Sequence, residues 1–139
     1  MPLARIDMIK GKPVEFRQAV GDAVYEAMVE ILKAPAGDRF QVIAEHDPSD
    51  FVFDPDFLDV HRTTGCIFIQ LTLVSGRSLE QKQGFYKQVA DALHDRLGVR
   101  REDVVISLVP VDPDDWSFGN GDASLVNPGT PEAASGSNR

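Results

Sequence analysis

The stretch CIFIQLTLVSGRSLEQKQGFYKQVADALHDRLG, residues 66–98, places a strand, a turn and a helix in immediate succession. The run Cys66–Val74 is mostly apolar, which predicts a buried β-strand. Ser78 precedes the next apolar stripe and Gln81 follows three residues later, the pattern of a capping box that begins a helix. The stripe consists of Leu79, Phe85, Val89, Leu93 and Leu97 and ends at Gly98. This stretch therefore predicts a strand followed by an amphipathic helix.

The beginning of the chain shows the same order of elements. Pro2–Ile9 alternates and then becomes apolar, which predicts a strand, and Pro13 is predicted at the first helical position, where its missing N–H costs nothing. Pro35 and Gly37 are expected to end that helix, and Phe40–Ala44 reads as a second strand. The apolar stripe of the helix consists of Phe16, Val20, Val24, Ala27, Met28, Ile31 and Leu32.

These elements predict one domain built from two similar halves. Val104–Val109 supplies the last major strand, so the order strand-helix-strand occurs twice, in residues 2–45 and 66–110, with an offset of roughly sixty-odd residues. Two right-handed crossovers with both helices on one face give an α/β two-layer sandwich. We expect the domain to span residues 2–121, with a loop or short hairpin over His46–Val60. Residues 126–139 have the composition of a disordered tail.

The composition excludes several classes of function. The chain has 139 residues, 42% of them hydrophobic, which is enough for one core without disulfides. Its net charge of -8 would repel a phosphate backbone, so nucleic acid is not an expected partner. Cys66, the single cysteine, reads as a small core residue and suits a reducing, cytoplasmic compartment. Since no leader and no membrane-length apolar stretch is present, we expect no membrane association.

Pro2 can carry chemistry if Met1 is removed, because it then bears a free secondary amine. An α-amino group titrates near ~8 in model peptides and can act as base, acid or imine-forming nucleophile. Many ordinary proteins also begin Met-Pro. Here, however, a predicted buried strand begins at once and would hold the amine in place.

Two further charged residues stand at turns. Arg77 lies in Ser75-Gly76-Arg77-Ser78, between the end of a strand and the start of a helix, where a cation opposes the helix dipole. Beside free backbone N–H groups it can instead form a carboxylate site, and Gly76 would let a ligand approach the backbone. Asp38 follows the first helix and, taken alone, reads as an ordinary turn residue.

Trp116 and Phe118 are out of place in a glycine-rich turn, because periodicity does not assign them to the core. They either contact another subunit or form the wall of a pocket. The histidines have no metal-ligand spacing and are expected to be solvated: His46, His61 and His94. The aspartates between residues 47 and 59 lack the spacing of a calcium loop, and no phosphate or dinucleotide motif is present, so we expect neither metal nor cofactor.

Together these features resemble the tautomerase superfamily, and within it the branch of malonate semialdehyde decarboxylase. The resemblance rests on the initial proline, the two strand-helix-strand units and the segments GDRFQ (37–41), SGRS (75–78) and WSFG (116–119). It implies a fold like that of macrophage migration inhibitory factor, a homotrimer, and antiparallel first strands that bring Pro2 beside Arg77. It also implies that Pro2 and Asp38 are catalytic, and that Arg77 holds a substrate carboxylate.

One departure from the family pattern leaves the reaction open. The best-known decarboxylase turn has two arginines, whereas this turn has only Arg77. The primary expectation is a tautomerase for small 2-keto or enol carboxylic acids, with Trp116, Phe118 and Gly76 contacting the substrate. Decarboxylation of a 3-oxo acid is close behind, and hydration or dehalogenation of an unsaturated acid is a further alternative. A non-catalytic trimeric binding domain would be favoured by retention of Met1.

Overall fold

The computed structural model describes residues 2–126, in which two long helices pack against one four-stranded sheet. The strands are β1 (Leu3–Ile9), β2 (Phe40–His46), β3 (Ile67–Val74) and β4 (Val104–Val111), and the helices are α1 (Val14–Glu30) and α2 (Leu79–Leu97). Short 3-10 turns lie at Pro48–Asp50, Phe57–Asp59, Arg101–Asp103 and Pro113–Asp115. The predicted order of strand-helix-strand, repeated once, is confirmed. Residues 127–139, most of the predicted tail, lie outside the described residues.

The sheet order β2-β1-β3-β4 reflects the internal duplication. Within each half the two strands are parallel, and the helix between them forms the crossover. The halves meet where β1 pairs antiparallel with β3, as the family resemblance implied. Consequently the start of β1 and the end of β3 lie at the same end of the sheet, which the start of β2 and the end of β4 share.

One core fills the space between the helices and one face of the sheet. Buried residues alternate with more exposed ones along both central strands. They are Ala4, Ile6 and Met8 in β1 and Ile67, Ile69, Leu71 and Leu73 in β3. They contact the apolar stripes of both helices in a single cluster. The opposite face of β1 and β2 keeps large apolar side chains exposed, so this side of the sheet has no helical layer. Neither α1 nor α2, nor any shorter helix within residues 2–126, could cross a membrane.

The predicted start of α2 is confirmed, whereas the predicted start of α1 is shifted by one residue. The capping box of α2 is confirmed, since Ser78 Oγ accepts from the Gln81 N–H at 3.1 Å and Gln81 Oε1 accepts from the Ser78 N–H at 3.0 Å. Pro13 is the N-cap of α1 and not its first residue, because its ψ of 161° is extended. Residues between β2 and β3 form two 3-10 turns and no hairpin.

The duplication extends to individual backbone and side-chain features at an offset of 65 residues. Gly11 and Gly76 have φ of 125° and 126°, each in the turn between a strand and a helix. Lys33 and Gly98 both adopt a left-handed conformation after the helices. Asp38 and Asp103, also 65 apart, are the two charged residues that are buried in the described part of the chain. The two halves are therefore equivalent in structure although their amino-acid sequences barely match.

Asp103 stabilises the entry to β3. Its carboxylate accepts from the Thr63 N–H at 2.7 Å and from the Thr63 hydroxyl at 2.6 Å, and Arg100 lies 3.4 Å away. We expect Asp103→Ala to lower the free energy of unfolding by about 3 kcal/mol, because it leaves two polar groups without an acceptor. Urea unfolding followed by circular dichroism measures this loss. Asp95→Ala on the exposed side of α2 is the control; an equally small effect for both variants would contradict the assigned role.

Candidate active site

The predicted site residues gather at one end of the sheet. Pro2 immediately precedes β1, and the register pairs the next residue, Leu3, with Thr72 of β3 and with Phe40 of β2. Asp38 stands two residues before Phe40. Arg77 stands three residues after the end of β3. The topology therefore brings three segments that are distant in sequence to a common edge.

Pro2 is buried at this edge, so its position is fixed by its surroundings. Met1 lies outside the described residues. Its removal, which alone would make the Pro2 nitrogen an amine, stays a prediction.

The Arg77 guanidinium is held against the backbone. Nε donates to the Leu32 carbonyl at 3.1 Å and Nη1 donates to the Val74 carbonyl at 2.8 Å. Leu32 lies two residues after the end of α1 and Val74 is the last residue of β3, so both halves of the chain orient the side chain. Burial lowers the pKa of Arg77 below its usual value, and the negative charge of Asp38 acts in the opposite direction. Since the usual pKa of arginine lies far above neutrality, the side chain remains a cation.

Asp38 lies in the interior, with 2% of the residue exposed. The turn that carries it is held by the Asp38 N–H, which donates to the Pro35 carbonyl at 3.1 Å, and by the Gly37 N–H, which donates to the Tyr25 hydroxyl at 2.7 Å. Because its charge affects the pKa of Arg77, the carboxylate and the guanidinium lie within electrostatic reach of each other. Buried Asp38 is thus more than the ordinary turn aspartate that its local sequence indicates.

Gly76 leaves room above the backbone beside Arg77. Its φ of 126° is a conformation that residues with a side chain rarely adopt. A Cβ atom built on Gly76 would have no heavy atom within 4 Å. The turn therefore offers open space next to a fixed cation, as the sequence predicted for a ligand that approaches the backbone.

Trp116 and Phe118 form an aromatic stack after β4. Their ring centroids are 5.0 Å apart at an interplanar angle of 12°, and Phe118 lies 5.5 Å from the ring of Phe40. Because Phe40 begins the opposite edge strand β2, the segment crosses the end of the sheet. The structure thus places the two aromatics beside the edge that carries Pro2. The sequence analysis assigned Phe40 to a strand but not to the candidate site. Its position two residues after Asp38 could have indicated that it lies near the site.

The side chains judged less informative also have defined surroundings. His46 is not solvated as predicted, because its Nε2 lies 2.6 Å from an oxygen of Asp7 in a half-buried pair. His61 is exposed beside Asp56. Burial and the charge of Asp103 raise the pKa of the Cys66 thiol to about 11. At neutral pH this buried cysteine is protonated, which agrees with the predicted core role.

Comparisons with known proteins identify the family to which the chain is similar. A family model described as tautomerase enzyme matches residues 38–119, and a second model of the same description matches residues 2–60. A probable tautomerase of Bacillus subtilis (strain 168), YusQ, is 39% identical over 126 residues, which cover 91% of this chain and 99% of that protein.

Solved structures give the same grouping. The crystal structure of FG41 malonate semialdehyde decarboxylase inhibited by 3-bromopropiolate is similar at a TM-score of 0.83 and 39% identity, over 89% of this chain and 94% of that one. A fused 4-OT wild type, a symmetric trimer, has a TM-score of 0.72 and 20% identity over 86% of this chain and 94% of its own, and shares the fold.

Proposed function

Since the chain belongs to the tautomerase superfamily and is an enzyme of that group, we propose that it transfers protons in small 2-keto or enol carboxylic acids through the amine of Pro2. Arg77 binds the substrate carboxylate, and Gly76 provides the space for it. Trp116 and Phe118 exclude water from one side. The observation that carries this proposal is the fixed, half-buried guanidinium of Arg77 at the same sheet edge as Pro2.

The tautomerase reaction needs a neutral amine. Burial of Pro2 and the neighbouring cation Arg77 both favour the neutral form of an amine, whereas the negative charge of Asp38 opposes it. The neutral nitrogen takes a proton from carbon or oxygen of the substrate and returns it at the other position. Nη2 of Arg77, the guanidinium nitrogen not bonded to the Leu32 or Val74 carbonyl, is the donor expected to meet the carboxylate.

Decarboxylation is the second candidate, and the buried Asp38 together with the similarity to a malonate semialdehyde decarboxylase favours it. In this reaction the bond between the carboxylate and its neighbouring carbon breaks, CO2 leaves, and that carbon receives a proton. Asp38 would keep Pro2 cationic, so that the amine draws the electron pair of the breaking bond toward the carbonyl. A strong ground-state pair between Arg77 and the carboxylate would oppose the step unless it weakened in the transition state.

We also propose that the active form is a homotrimer. Leu3, Phe40 and Val42 are substantially exposed on the sheet face opposite the helices. In a monomer these apolar side chains would stay in contact with water. The fused 4-OT that shares the fold is a symmetric trimer. Association through the uncovered face would bury these side chains.

A proton NMR time course tests the function. Purified protein whose intact mass shows loss of Met1 is incubated separately with malonate semialdehyde and with the enol of phenylpyruvate. Faster ketonisation of phenylpyruvate than in a matched Pro2→Ala sample supports the tautomerase. Acetaldehyde that forms only with the wild type would place decarboxylation first. No turnover of either substrate by correctly processed protein would contradict both proposals.

We expect Asp38→Asn to reduce decarboxylation about a hundredfold and tautomerisation less than about tenfold, because only the first reaction needs the amine held cationic. The values of kcat for both substrates measure the difference. Asp103→Asn, which neutralises the equivalent buried carboxylate of the other half, is the matched control and should change stability but not kcat of the folded protein. Equal losses in both reactions would contradict the assigned role of Asp38.

A further inference from the structure

The turn that carries Asp38 is held by α1 on both sides of the aspartate. On one side the Gly37 N–H donates to the Tyr25 hydroxyl at 2.7 Å. On the other side the Arg39 guanidinium lies over the ring of the same tyrosine, with Cζ 5.0 Å from the ring centre. One side chain of α1 therefore contacts both neighbours of the buried aspartate. We refer to Tyr25 and Arg39 as the turn clamp.

Polar contacts keep the Arg39 side chain in this position. Its Nη2 donates to Asp22 on α1 at 2.8 Å, and its Nε donates to Gln41 Oε1 at 3.2 Å. Nε2 of Gln41 in turn donates to the Gly21 carbonyl at 2.9 Å. The ion pair with Asp22 is largely exposed and adds little to stability, but it orients the guanidinium. These contacts attach the segment between the turn and β2 to the side of α1.

Gly21 provides room for these contacts in the middle of α1. Inside a helix, glycine is less stable than alanine. A Cβ atom built on Gly21 would lie 2.7 Å from Gln41 Oε1 and 3.3 Å from Arg39 Nη2. An alanine would therefore displace the ends of both side chains. The helix thus carries an unfavourable residue where a larger one would disturb the contacts with the turn.

The second half of the chain does not repeat the turn clamp. Ala90 stands 65 positions after Tyr25 and has no hydroxyl. Val104 stands 65 positions after Arg39 and has no charge. The buried Asp103 is instead held through its own carboxylate. The same scaffold is therefore built without the clamp at one end of the sheet, and the clamp occurs at the end that carries the candidate site.

We propose that the turn clamp positions the Asp38 carboxylate relative to Arg77 and the Pro2 amine, and so supports the reaction that needs a cationic amine. The Tyr25 hydroxyl acts on the backbone of the turn, so its effect on the reaction passes through Asp38. The charge of Asp38 already affects the pKa of Arg77 across this edge. Because such an effect depends on distance, a displaced turn would weaken it. This inference rests on the role proposed above for Asp38.

Tyr25→Phe tests the clamp with little risk to the fold, because it removes the hydroxyl and keeps the ring under Arg39. Tyr86→Phe makes the same change on α2 and is the matched control. The first readout is amide hydrogen exchange followed by NMR. The Gly37 amide should exchange about tenfold faster in Tyr25→Phe, because it loses its acceptor, and at the wild-type rate in Tyr86→Phe. Unchanged exchange of Gly37 in Tyr25→Phe would overturn the inference.

The second readout is the rate at which an acylating reagent modifies the N-terminal amine of the Met-processed protein at pH 7, measured by peptide mapping. Only the neutral amine reacts, and the charge of Asp38 favours the cation. We therefore expect Asp38→Asn to speed the modification about tenfold and Tyr25→Phe about threefold. In the double variant Tyr25→Phe should add nothing, since no charge is left for the turn to position. Multiplied effects of the two changes would show that Tyr25 acts independently of Asp38 and would overturn the inference.

Turnover separates a positioning role from a general disturbance of the fold. Tyr25→Phe should lower kcat for decarboxylation about tenfold, with KM and the ketonisation of phenylpyruvate changed less than about twofold. Equal losses in both reactions would contradict the positioning role.

The exchange and acylation measurements need no turnover. An inert wild type whose amine responds to both substitutions as expected would contradict only the proposed function. An active enzyme whose amine responds to Asp38→Asn but not to Tyr25→Phe would contradict only this inference.

Discussion

Pro2→Ala is expected to lower kcat/KM about 10²- to 10⁴-fold, the range that a positioned proton-transfer group contributes. Alanine still provides an amine after removal of Met1, but it is a primary amine whose orientation the proline ring no longer fixes. Since Pro2 is buried next to β1, the loss of the ring also loosens the first residue of the strand. Both effects remove a catalyst without removing the fold.

The measurement is steady-state kinetics on both candidate substrates, with intact-mass analysis of every sample. Wild-type protein that retains Met1 is the matched control, because its Pro2 nitrogen is an amide with an unchanged side chain. It should be as inactive as the alanine variant. Near-normal turnover by the protein that retains Met1 would exclude the Pro2 amine as the catalyst, and near-normal turnover by the alanine variant would exclude a need for the proline ring. Unchanged circular dichroism is required, so that a folding defect is not mistaken for a catalytic one.

The second large effect is expected for Arg77→Ala, a decrease of about 10²- to 10³-fold in kcat/KM. The variant loses the cation that binds the substrate carboxylate, and no neighbouring side chain occupies the same fixed position. Arg77→Lys keeps the charge but loses the planar fork, so an intermediate activity is expected. Urea unfolding belongs in the same series, because Arg77 also donates to the Leu32 and Val74 carbonyls.

Lys12 offers an internal control for Arg77. It stands 65 positions earlier in the equivalent turn of the first half, where its Nζ lies 4.9 Å from the centre of the Phe16 ring. Lys12→Ala removes a cation from the corresponding place at the opposite end of the sheet and should leave kcat/KM unchanged. A comparable loss in both variants would point to a general effect of charge on substrate attraction and not to a binding site at Arg77.

The sequence predicted those parts of the fold that depend on neighbouring residues. The capping box of Ser78 and Gln81 involves two side chains three positions apart, and the start of α2 was accordingly placed correctly. The central strand β3 was predicted equally clearly, because the mostly apolar run that begins at Cys66 is typical of a buried strand. The repetition of these local patterns predicted two similar halves, and the family resemblance implied their antiparallel pairing.

Contacts between distant residues were not predictable in this way. Asp103 accepts hydrogen bonds from Thr63, which lies 40 positions earlier. The sequence around neither residue has a pattern that predicts this contact. The contact of Phe40 with Phe118 joins the first half to the segment after β4. Leu58 illustrates a different limit, because leucine is not a residue that sequence patterns associate with a left-handed turn. Of the candidate site, the sequence and its family resemblance predicted the charged residues and the proximity of Pro2 to Arg77. The structure added the burial of Asp38 and the contact of Phe40 with Phe118.

The duplication has a consequence for the number of reactive groups in each chain. Sixty-five positions after Pro2 the chain has Ile67, whose nitrogen is an internal amide because Cys66 precedes it. The second half therefore repeats the scaffold, including a buried aspartate, but its first strand does not begin with a free amine. A reagent that alkylates a processed N-terminal amine should consume one equivalent per polypeptide, and loss of activity should be complete at that stoichiometry.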